Sequence, residues 1–279
     1  MKKTLFSMVT AVMLFSVFTS CSSDEDVVED KFTAQTFNTW SKVVFGYGSM
    51  FDAGETLNVS DSKATFHSDT WGDGTFTVSE LKKNADGSYS LIGSGTITMA
   101  GHGGVKDYEA TITGNIANSA KTFTISIPSV MGGTVLNVTV GEMPMAAAID
   151  GTYKGGTYVN SKYFLHYQPT ENEKVVIKAN DALDAASLSY TSETWGAFTF
   201  ETVSVTKNND GSFTLSAEGK TLMPGMNGGE SKEYAATFEG TLTDGALVAT
   251  FSVPAVMGGT TVYFNAADFD EVLAESQSK

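Results

Sequence analysis

The chain has 279 residues, 41% of them hydrophobic, with 28 glycines and only 5 prolines. Its formal net charge is −15, and all 17 basic residues are lysines. Nucleic-acid recognition needs a positive surface, and bidentate binding of phosphate or carboxylate normally uses arginine, so nucleic acids and other polyanions are disfavoured as partners. The length predicts one or two globular domains.

Residues 1–20 are predicted to be a targeting segment rather than part of the fold. Lys2 and Lys3 precede an apolar run at 4–18 that is too short for a comfortable membrane span. Small residues then lead to Cys21, the only cysteine. The segment resembles a lipoprotein signal peptide, in which Cys21 would become the lipidated first residue. The alternative is an ordinary secretory signal followed by a stray cysteine.

Residues 21–31 are predicted to form an acidic tether, because five carboxylates occur between Ser22 and Asp30. Such a charge run is typical of a solvated linker. Acidic residues directly after a lipidated cysteine also resemble the export signal of surface-exposed lipoproteins in some Gram-negative bacteria. The predicted location is therefore extracytoplasmic, with a lipid anchor in the outer membrane, and exposure at the cell surface is a further option.

The rest of the chain is a tandem duplication. The sequence Ser68–Gly72 recurs as Ser192–Gly196 at an offset of 124, and Ile127–Thr134 recurs as Val253–Thr260 at an offset of 126. Solenoid repeats have periods of roughly 20 to 50 residues, so a repeat of this length predicts a domain per copy. The predicted divisions are a first domain at 32–141, a linker at 142–150, a second domain at 151–266 and a tail at 267–279.

Alternating apolar residues predict strands in both copies. In residues 122–127 the side chains of Phe123, Ile125 and Ile127 fall at every second position, which is the period of a strand with one buried face. The apolar parity changes near Glu201, which predicts a bulge there. A starting strand is predicted at 43–47 in the first copy and at 163–167 in the second.

The turns and the tail complete the predicted elements. Asn84–Gly87 and Asn208–Gly211 lie between alternating runs and are typical of hairpin connections. The segment Ala266–Ser276 alone has weak helical character, with Phe269 and Leu273 four residues apart, and it is predicted to be a frayed helix or disordered. Seven or eight short strands per copy leave two architectures, a sandwich or an up-and-down barrel, and closure into a barrel would remove exposed sheet edges.

Two longer motifs add a resemblance to a known family. Lys106–Gly114 followed by Ile127–Gly133 in the first copy, and Lys232–Gly240 followed by Val253–Gly259 in the second, resemble the calycin-like β-barrel domain of bacterial lipoproteins. The resemblance implies an all-β protein of two tandem small antiparallel calycin-like β-barrels. It also implies kinship in shape with lipocalins and fatty-acid-binding proteins, which often carry apolar ligands.

The lipocalin signature itself is not present. The Gly-x-Trp motif near the first strand is missing, and the chain has no arginine to pack on the tryptophan. The resemblance therefore supports the fold and leaves the mode of ligand binding open.

Catalytic, metal and cofactor sites are not indicated. The three histidines stand at no zinc-motif spacing and are interpreted as surface or hydrogen-bonded residues: His67, His102 and His166. The glycine-rich segments 101–104 and 225–229 precede strand-like sequence rather than a helix, so they are interpreted as loops between strands and not as phosphate loops. We predict that the protein is not an enzyme and uses no metal or cofactor.

The paired aromatic and methionine side chains are the best candidates for a site. Core packing is the commoner role of large aromatic residues in small β domains, and the functional alternative is that they line a ligand cavity. The candidates are Trp71, Trp195, Tyr108, Tyr234, Met131 and Met257.

The predicted function is a lipid-anchored extracytoplasmic binding module for a small apolar or amphipathic ligand. The alternative is a structural or partner-binding surface lipoprotein that has no internal ligand and contacts another envelope protein. In both cases the membrane is reached through the lipid on Cys21, and nucleic acid is not expected as a partner.

Overall fold

The structure, a computed structural model, describes residues 32–101, 104–192, 195–224 and 229–278. The predicted signal peptide, acidic tether and lipidation site Cys21 lie outside the described residues, as does His102.

The first barrel is closed and has eight antiparallel strands in sequence order. It closes because β1 pairs with both β2 and β8. The strands are β1 (Gln35–Phe45), β2 (Gly48–Val59), β3 (Lys63–Ser68), β4 (Gly72–Lys83), β5 (Tyr89–Gly101), β6 (Gly104–Ile116), β7 (Lys121–Ile127) and β8 (Thr134–Val140).

A short helix, α1 (Met145–Ala148), separates the two barrels, and the second barrel repeats the same order of strands. β17 returns to pair with β9, and β12 pairs with β14, which closes the ring. The elements are β9 (Gly151–Ser161), β10 (Tyr167–Ala179), β11 (Ala186–Ser192), β12 (Gly196–Phe200), β13 (Ser204–Lys207), β14 (Phe213–Met223), β15 (Lys232–Thr243), β16 (Ala246–Val253), β17 (Thr260–Phe264) and α2 (Phe269–Gln277).

The bulge predicted near Glu201 is present, and it splits one strand of the second barrel into β12 and β13. Both pieces pair with β14, but Thr199 pairs with Lys220 and Ser204 with Ser216, so one extra residue lies on the split side. The equivalent strand of the first barrel, β4, stays continuous and has a register shift between Val78 and Glu80. Each barrel therefore has eight wall positions, and β12 and β13 together fill one of them.

The duplicated turns have the same hydrogen bonds in both copies. The backbone N–H and the hydroxyl of Ser88 both donate to Oδ1 of Asp86, at 3.0 and 2.7 Å. Ser212 donates to Asp210 at the same distances. These bonds hold the pKa of each aspartate below its ordinary value. The turn sequences thus fix the same hairpin geometry twice.

The predicted starting strands were wrong in position. β1 ends at Phe45, and residues 163–167 form a loop and the first residue of β10. The ladders give the true equivalence, since Ser41 pairs with Val138 and Thr157 pairs with Phe264. Those partners differ by 126, as the neighbouring motifs do, so Thr157 is equivalent to Ser41.

The core of the second barrel is a cluster of aromatic rings. The ring centroid of Phe251 lies 4.9 Å from that of Tyr190, and 5.3 Å from those of both Phe198 and Phe238. Phe200 completes the cluster at 6.1 Å from Phe251. Rings at these separations pack favourably, so this part of the barrel is solid.

The helix α2 packs on the outer wall of the second barrel, against β9 and β10. The Tyr158 hydroxyl donates to the Asp268 carboxylate at 2.9 Å, and Val272 is buried. The Phe269 ring lies against Gly156, where a Cβ atom would come within 2.3 Å of it. Among the described residues, no helix has the length and apolar character needed to cross a membrane.

Gly196 is a position where the closure of the second barrel requires glycine. Its φ is +83°, and an added Cβ would lie 2.1 Å from the carbonyl oxygen of Leu222 on the paired strand β14. Gly211 has a similar φ of +88° with open space around it. In urea unfolding we expect Gly196→Ala to cost about 2 kcal/mol and the control Gly211→Ala about 1 kcal/mol. Equal losses would contradict the steric argument.

Candidate functional site

A cavity opens at one end of the second barrel, which we call the mouth. It is the end where β9 joins β10, β11 joins β12, β14 joins β15 and β16 joins β17. The cavity has a volume of about 880 Å³ and is lined by Phe164, Tyr167, Trp195, Met223, Pro224, Gly229, Glu230, Lys232, Tyr234, Ala255, Val256 and Met257. Most of this lining is apolar or aromatic.

Three of the candidate residues come together here. Trp195, Tyr234 and Met257 are far apart in sequence, and the barrel brings all three to the same cavity. Trp195 begins the entry to β12, Tyr234 lies near the start of β15, and Met257 lies in the connection from β16 to β17.

Three aromatic rings form one wall of the cavity. The Phe164 centroid lies 4.5 Å from that of Tyr167 and 6.0 Å from that of Trp195. Tyr167 and Trp195 are 6.4 Å apart and nearly perpendicular, at 81°. Since these rings contact one another in several orientations, they present both faces and edges to the space beside them.

The part of the rim beside the β9–β10 loop includes a methionine held in an uncommon backbone conformation. Met257 has φ = +50°, and Gly258 and Gly259 follow with φ of +73° and +103°. The Thr260 hydroxyl donates to the Val256 carbonyl at 3.0 Å and fixes the turn. Non-glycine residues rarely adopt positive φ, and here the conformation places a 40% exposed Met257 at the cavity.

The charged residues of the lining lie at the rim. Glu230 and Lys232 are both exposed. On the neighbouring strand β14, Nζ of Lys220 forms a salt bridge with the carboxylate of Glu233 at 2.8 Å. Exposed charges are screened by water and salt, so they affect the entrance more than the interior.

Below the cavity, five of the inward-facing residues are polar, and we call them the polar layer: Thr157, Glu173, Tyr190, Ser192 and Thr221. They lie among apolar inward residues such as Val159, Ala236 and Val253. Thr157, Ser192 and Thr221 are buried, and Glu173 is half-buried and in phase with the inward residues Val175 and Ile177. Alternate residues of a strand are about 7 Å apart along it, so Thr221 lies that distance below Met223. The layer is joined to the lining, because the Trp195 N–H donates to the Ser192 hydroxyl at 3.3 Å and the Thr221 hydroxyl donates to the Trp195 carbonyl at 3.1 Å.

Tyr190 connects the polar layer to the aromatic core. Its ring packs on Phe251, while its buried hydroxyl makes no hydrogen bond of good geometry with the described residues. The hydroxyls of Thr157 and Ser192 lie close to it. Burial, together with the negative charge of Glu173, raises the pKa of Tyr190 to about 12, so this phenol stays protonated.

The candidate residues of the first copy have different surroundings. Trp71 is 4% exposed, and its indole N–H has no hydrogen-bond partner among the described residues. Tyr108 is half-buried and Met131, with φ = +48°, is 47% exposed. The tight β1–β2 turn contacts the Met131 loop directly, and the Gly46 N–H donates to the Met131 carbonyl at 3.0 Å.

The corresponding connection in the second barrel is longer. It spans residues 162–166, and the His166 N–H donates to Asn160 at 2.8 Å. The His166 ring lies against Tyr158, and its Nδ1 is 3.8 Å from Glu275 of α2. This loop is thus held toward α2, and it contributes Phe164 to the cavity.

The first barrel contains a buried acid that sequence inspection missed. Glu55 is 1% exposed and accepts hydrogen bonds from Ser41 at 2.5 Å and Thr39 at 3.4 Å. Burial raises its pKa to about 7, and the nearby Asp52 acts in the same direction. The ladders place Glu173 at the equivalent position, since Glu55 pairs with Thr39 and Glu173 with Gly155, each two residues before the equivalent pair Ser41 and Thr157.

His67 is at the surface. Nδ1 of His67 lies 2.7 Å from Asp73, a hydrogen bond that raises the pKa of His67. Within the described ranges, no group of three or more His, Cys, Asp or Glu side chains is arranged to hold a metal ion.

These features define a class of protein: two tandem eight-stranded antiparallel barrels, the second with an aromatic cavity at one end. Residues 149–266 match the family model of the calycin-like beta-barrel domain. The second barrel thus matches this family, the first barrel repeats its order of strands, and the resemblance stated from the sequence is confirmed.

A solved structure supports the fold over both barrels. It is a crystal structure described as a "putative outer membrane protein" from Bacteroides fragilis NCTC 9343, with a TM-score of 0.60 and 21% identity. The similarity covers 83% of this chain and 96% of that one. At this identity it shows the fold alone. Comparison with curated proteins found no match.

Proposed function

We propose that the protein is a binding module, and that the mouth cavity of the second barrel holds a small apolar or amphipathic ligand. The main support is the cavity itself, which has a volume of about 880 Å³ and is lined mainly by aromatic and apolar side chains with a few polar groups. Pockets for small molecules typically have volumes of about 300 to 1,000 Å³ and this kind of lining.

The proposal includes an extracytoplasmic location and binding rather than catalysis. The signal-peptide resemblance and Cys21 support a lipid anchor in the outer membrane, and the acidic residues after Cys21 support exposure at the cell surface. The description of the similar Bacteroides fragilis protein agrees with an envelope location. Apart from tyrosines, the titratable groups of the lining are Glu230 and Lys232 at the rim.

The test uses the soluble chain from Ser22 onward with 1-decanol and the neutral dye Nile red as probes. Native mass spectrometry reports any molecule that copurifies, and dye fluorescence reports uptake and displacement by decanol. We expect binding that Met257→Glu weakens about tenfold, because a charge would enter an apolar rim.

The matched control is Met131→Glu, which makes the same change at the equivalent position of the first barrel and should leave binding unchanged. Met131 and Met257 have nearly the same φ and similar exposure, so stability effects should match. The absence of any bound molecule and of any response to both probes would reject the proposal.

A second candidate is a partner-binding surface lipoprotein, favoured by where the exposed apolar residues lie. Ten of the thirteen large hydrophobic side chains that are exposed in the described structure lie at the mouth of the second barrel or the equivalent end of the first, five in each. Exposed apolar clusters of this kind are typical of interaction sites. In-cell cross-linking from this end that recovers one reproducible envelope protein, with no ligand bound to the cavity, would favour this candidate.

A further inference from the structure

The polar layer restricts which ligand the mouth cavity accepts, an inference that rests on the proposed function. The layer supplies one carboxylate and four hydroxyls, from Glu173, Tyr190, Thr157, Ser192 and Thr221. Carboxylates are hydrogen-bond acceptors, and hydroxyls can accept as well as donate. A ligand end that reaches this layer therefore meets acceptors, one of them the carboxyl group of Glu173.

We propose that the cavity binds an amphipathic amine, with its apolar part among the aromatic rings of the mouth and its amino group on the polar layer. An ammonium group donates three hydrogen bonds, and bonds between charged partners are the strong ones. The aromatic wall formed by Phe164, Tyr167 and Trp195 also favours a cation passing through it.

A carboxylate end would be poorly held at the same depth. It would lie next to Glu173, and the chain contains no arginine to neutralise it. The one lysine of the lining, Lys232, is exposed at the rim. A fatty acid could pair with Lys232 only in the reverse orientation, with its apolar tail against the polar layer, which is unfavourable.

Tyr190 provides an independent sign, because its own hydroxyl has bonding capacity to spare. The residue is only 1% exposed, and its buried hydroxyl has no hydrogen bond of good geometry among the described residues. Ser192, which lies near this hydroxyl, is the next inward residue of β11 toward the mouth. The hydroxyl therefore lies on the mouth side of the aromatic core, beside Ser192.

The experiment compares decylamine, 1-decanol and decanoate, which share one alkyl chain and differ in the polar end. Affinities are measured by Nile red displacement and calorimetry at pH 7.5 and about 0.15 M salt, where long-range attraction to the acidic chain is screened. We expect decylamine to bind about tenfold more tightly than decanol, and decanoate more weakly than both.

Three variants locate the preference. Glu173→Gln should reduce the advantage of decylamine over decanol to less than about twofold, and Tyr190→Phe, which keeps the ring packing, should reduce it partly. Glu218→Gln is the matched control, because Glu218 is exposed on the outer face of β14, and it should keep the full preference. Thermal melts confirm that each variant is folded.

The outcomes separate this inference from the proposed function. If decanol binds but decylamine has no advantage, or the advantage persists in Glu173→Gln, the amine assignment is wrong and the binding function stands. Tight binding of decanoate that Lys232→Gln abolishes would also overturn it, by showing the reverse orientation. If none of the three compounds binds, both the amine assignment and the proposed function are wrong.

Discussion

Replacing Glu55 with glutamine is expected to make the first barrel more stable at pH 8 by about 3 kcal/mol and to leave it nearly unchanged at pH 4. The pKa of Glu55 is about 7 in the folded protein, against an ordinary value of 4.5. At about 1.4 kcal/mol for each pKa unit, this difference gives the expected figure.

The sign follows from proton binding. Below pH 4.5 Glu55 is protonated in both the folded and the unfolded chain, so it causes no pH dependence. Between pH 4.5 and about 7 the unfolded chain has released the proton while the folded chain retains it, so stability falls as the pH rises. Above pH 7 the folded barrel holds a buried carboxylate, and the loss is complete. Glutamine cannot ionise and removes this loss.

Urea unfolding of both proteins between pH 4 and pH 8.5 checks this prediction. The measured quantity is the difference in free energy of unfolding between Glu55→Gln and the parent protein, because other titrating groups cancel in it. Glu80→Gln is the control, since Glu80 is exposed on β4 of the same barrel. A difference that does not change with pH would show that Glu55 is not the titrating group.

Replacing Phe251 with alanine is expected to destabilise the second barrel by about 4 kcal/mol. Phe251 is fully buried, with ring centroids of Tyr190, Phe198, Phe200 and Phe238 within 6.1 Å. Truncating a buried phenylalanine typically costs 3 to 5 kcal/mol, because apolar contacts are lost and a cavity remains.

The control for this second prediction lies on the same strand. Val248 is 49% exposed, so Val248→Ala should change the free energy of unfolding by less than about 0.5 kcal/mol. Both are measured by urea unfolding followed by near-ultraviolet circular dichroism. A loss below about 1 kcal/mol for Phe251→Ala would mean that the aromatic cluster rearranges to fill the space.

The repeat and the barrel could be predicted from the sequence because both depend on local patterns. The alternation at Phe123, Ile125 and Ile127 gave the correct inward face, and all three are buried. The turns at Asp86 and Asp210 were equally predictable, since their hydrogen bonds join residues that are close in sequence.

The first strand was misplaced because its pattern is not regular. In β1 the consecutive residues Thr39, Trp40 and Ser41 are all buried. Trp40 faces outward and lies 6.2 Å from Phe51, which covers it. A covered outer face removes the alternation on which the prediction depends.

The site was predictable only in part. Trp195, Tyr234 and Met257 were found because the duplication pairs them, whereas Phe164 lies in a loop that is longer in the second copy and could not be found in this way. Glu55 and Glu173 did leave a signal, since each is two residues before a buried apolar residue, Leu57 or Val175. That phase places both glutamates on the inward face, although their type predicts exposure.

The way each barrel closes also sets an order of folding during synthesis. Closure joins Ser41 to Val138 in the first barrel and Val159 to Val262 in the second, pairings between residues about a hundred positions apart. Such distant contacts form late and slowly. All eight strands of the first barrel nevertheless precede β9 in the chain. The first barrel can therefore close before the strands of the second leave the ribosome, which limits the exchange of equivalent strands to which tandem repeats are prone.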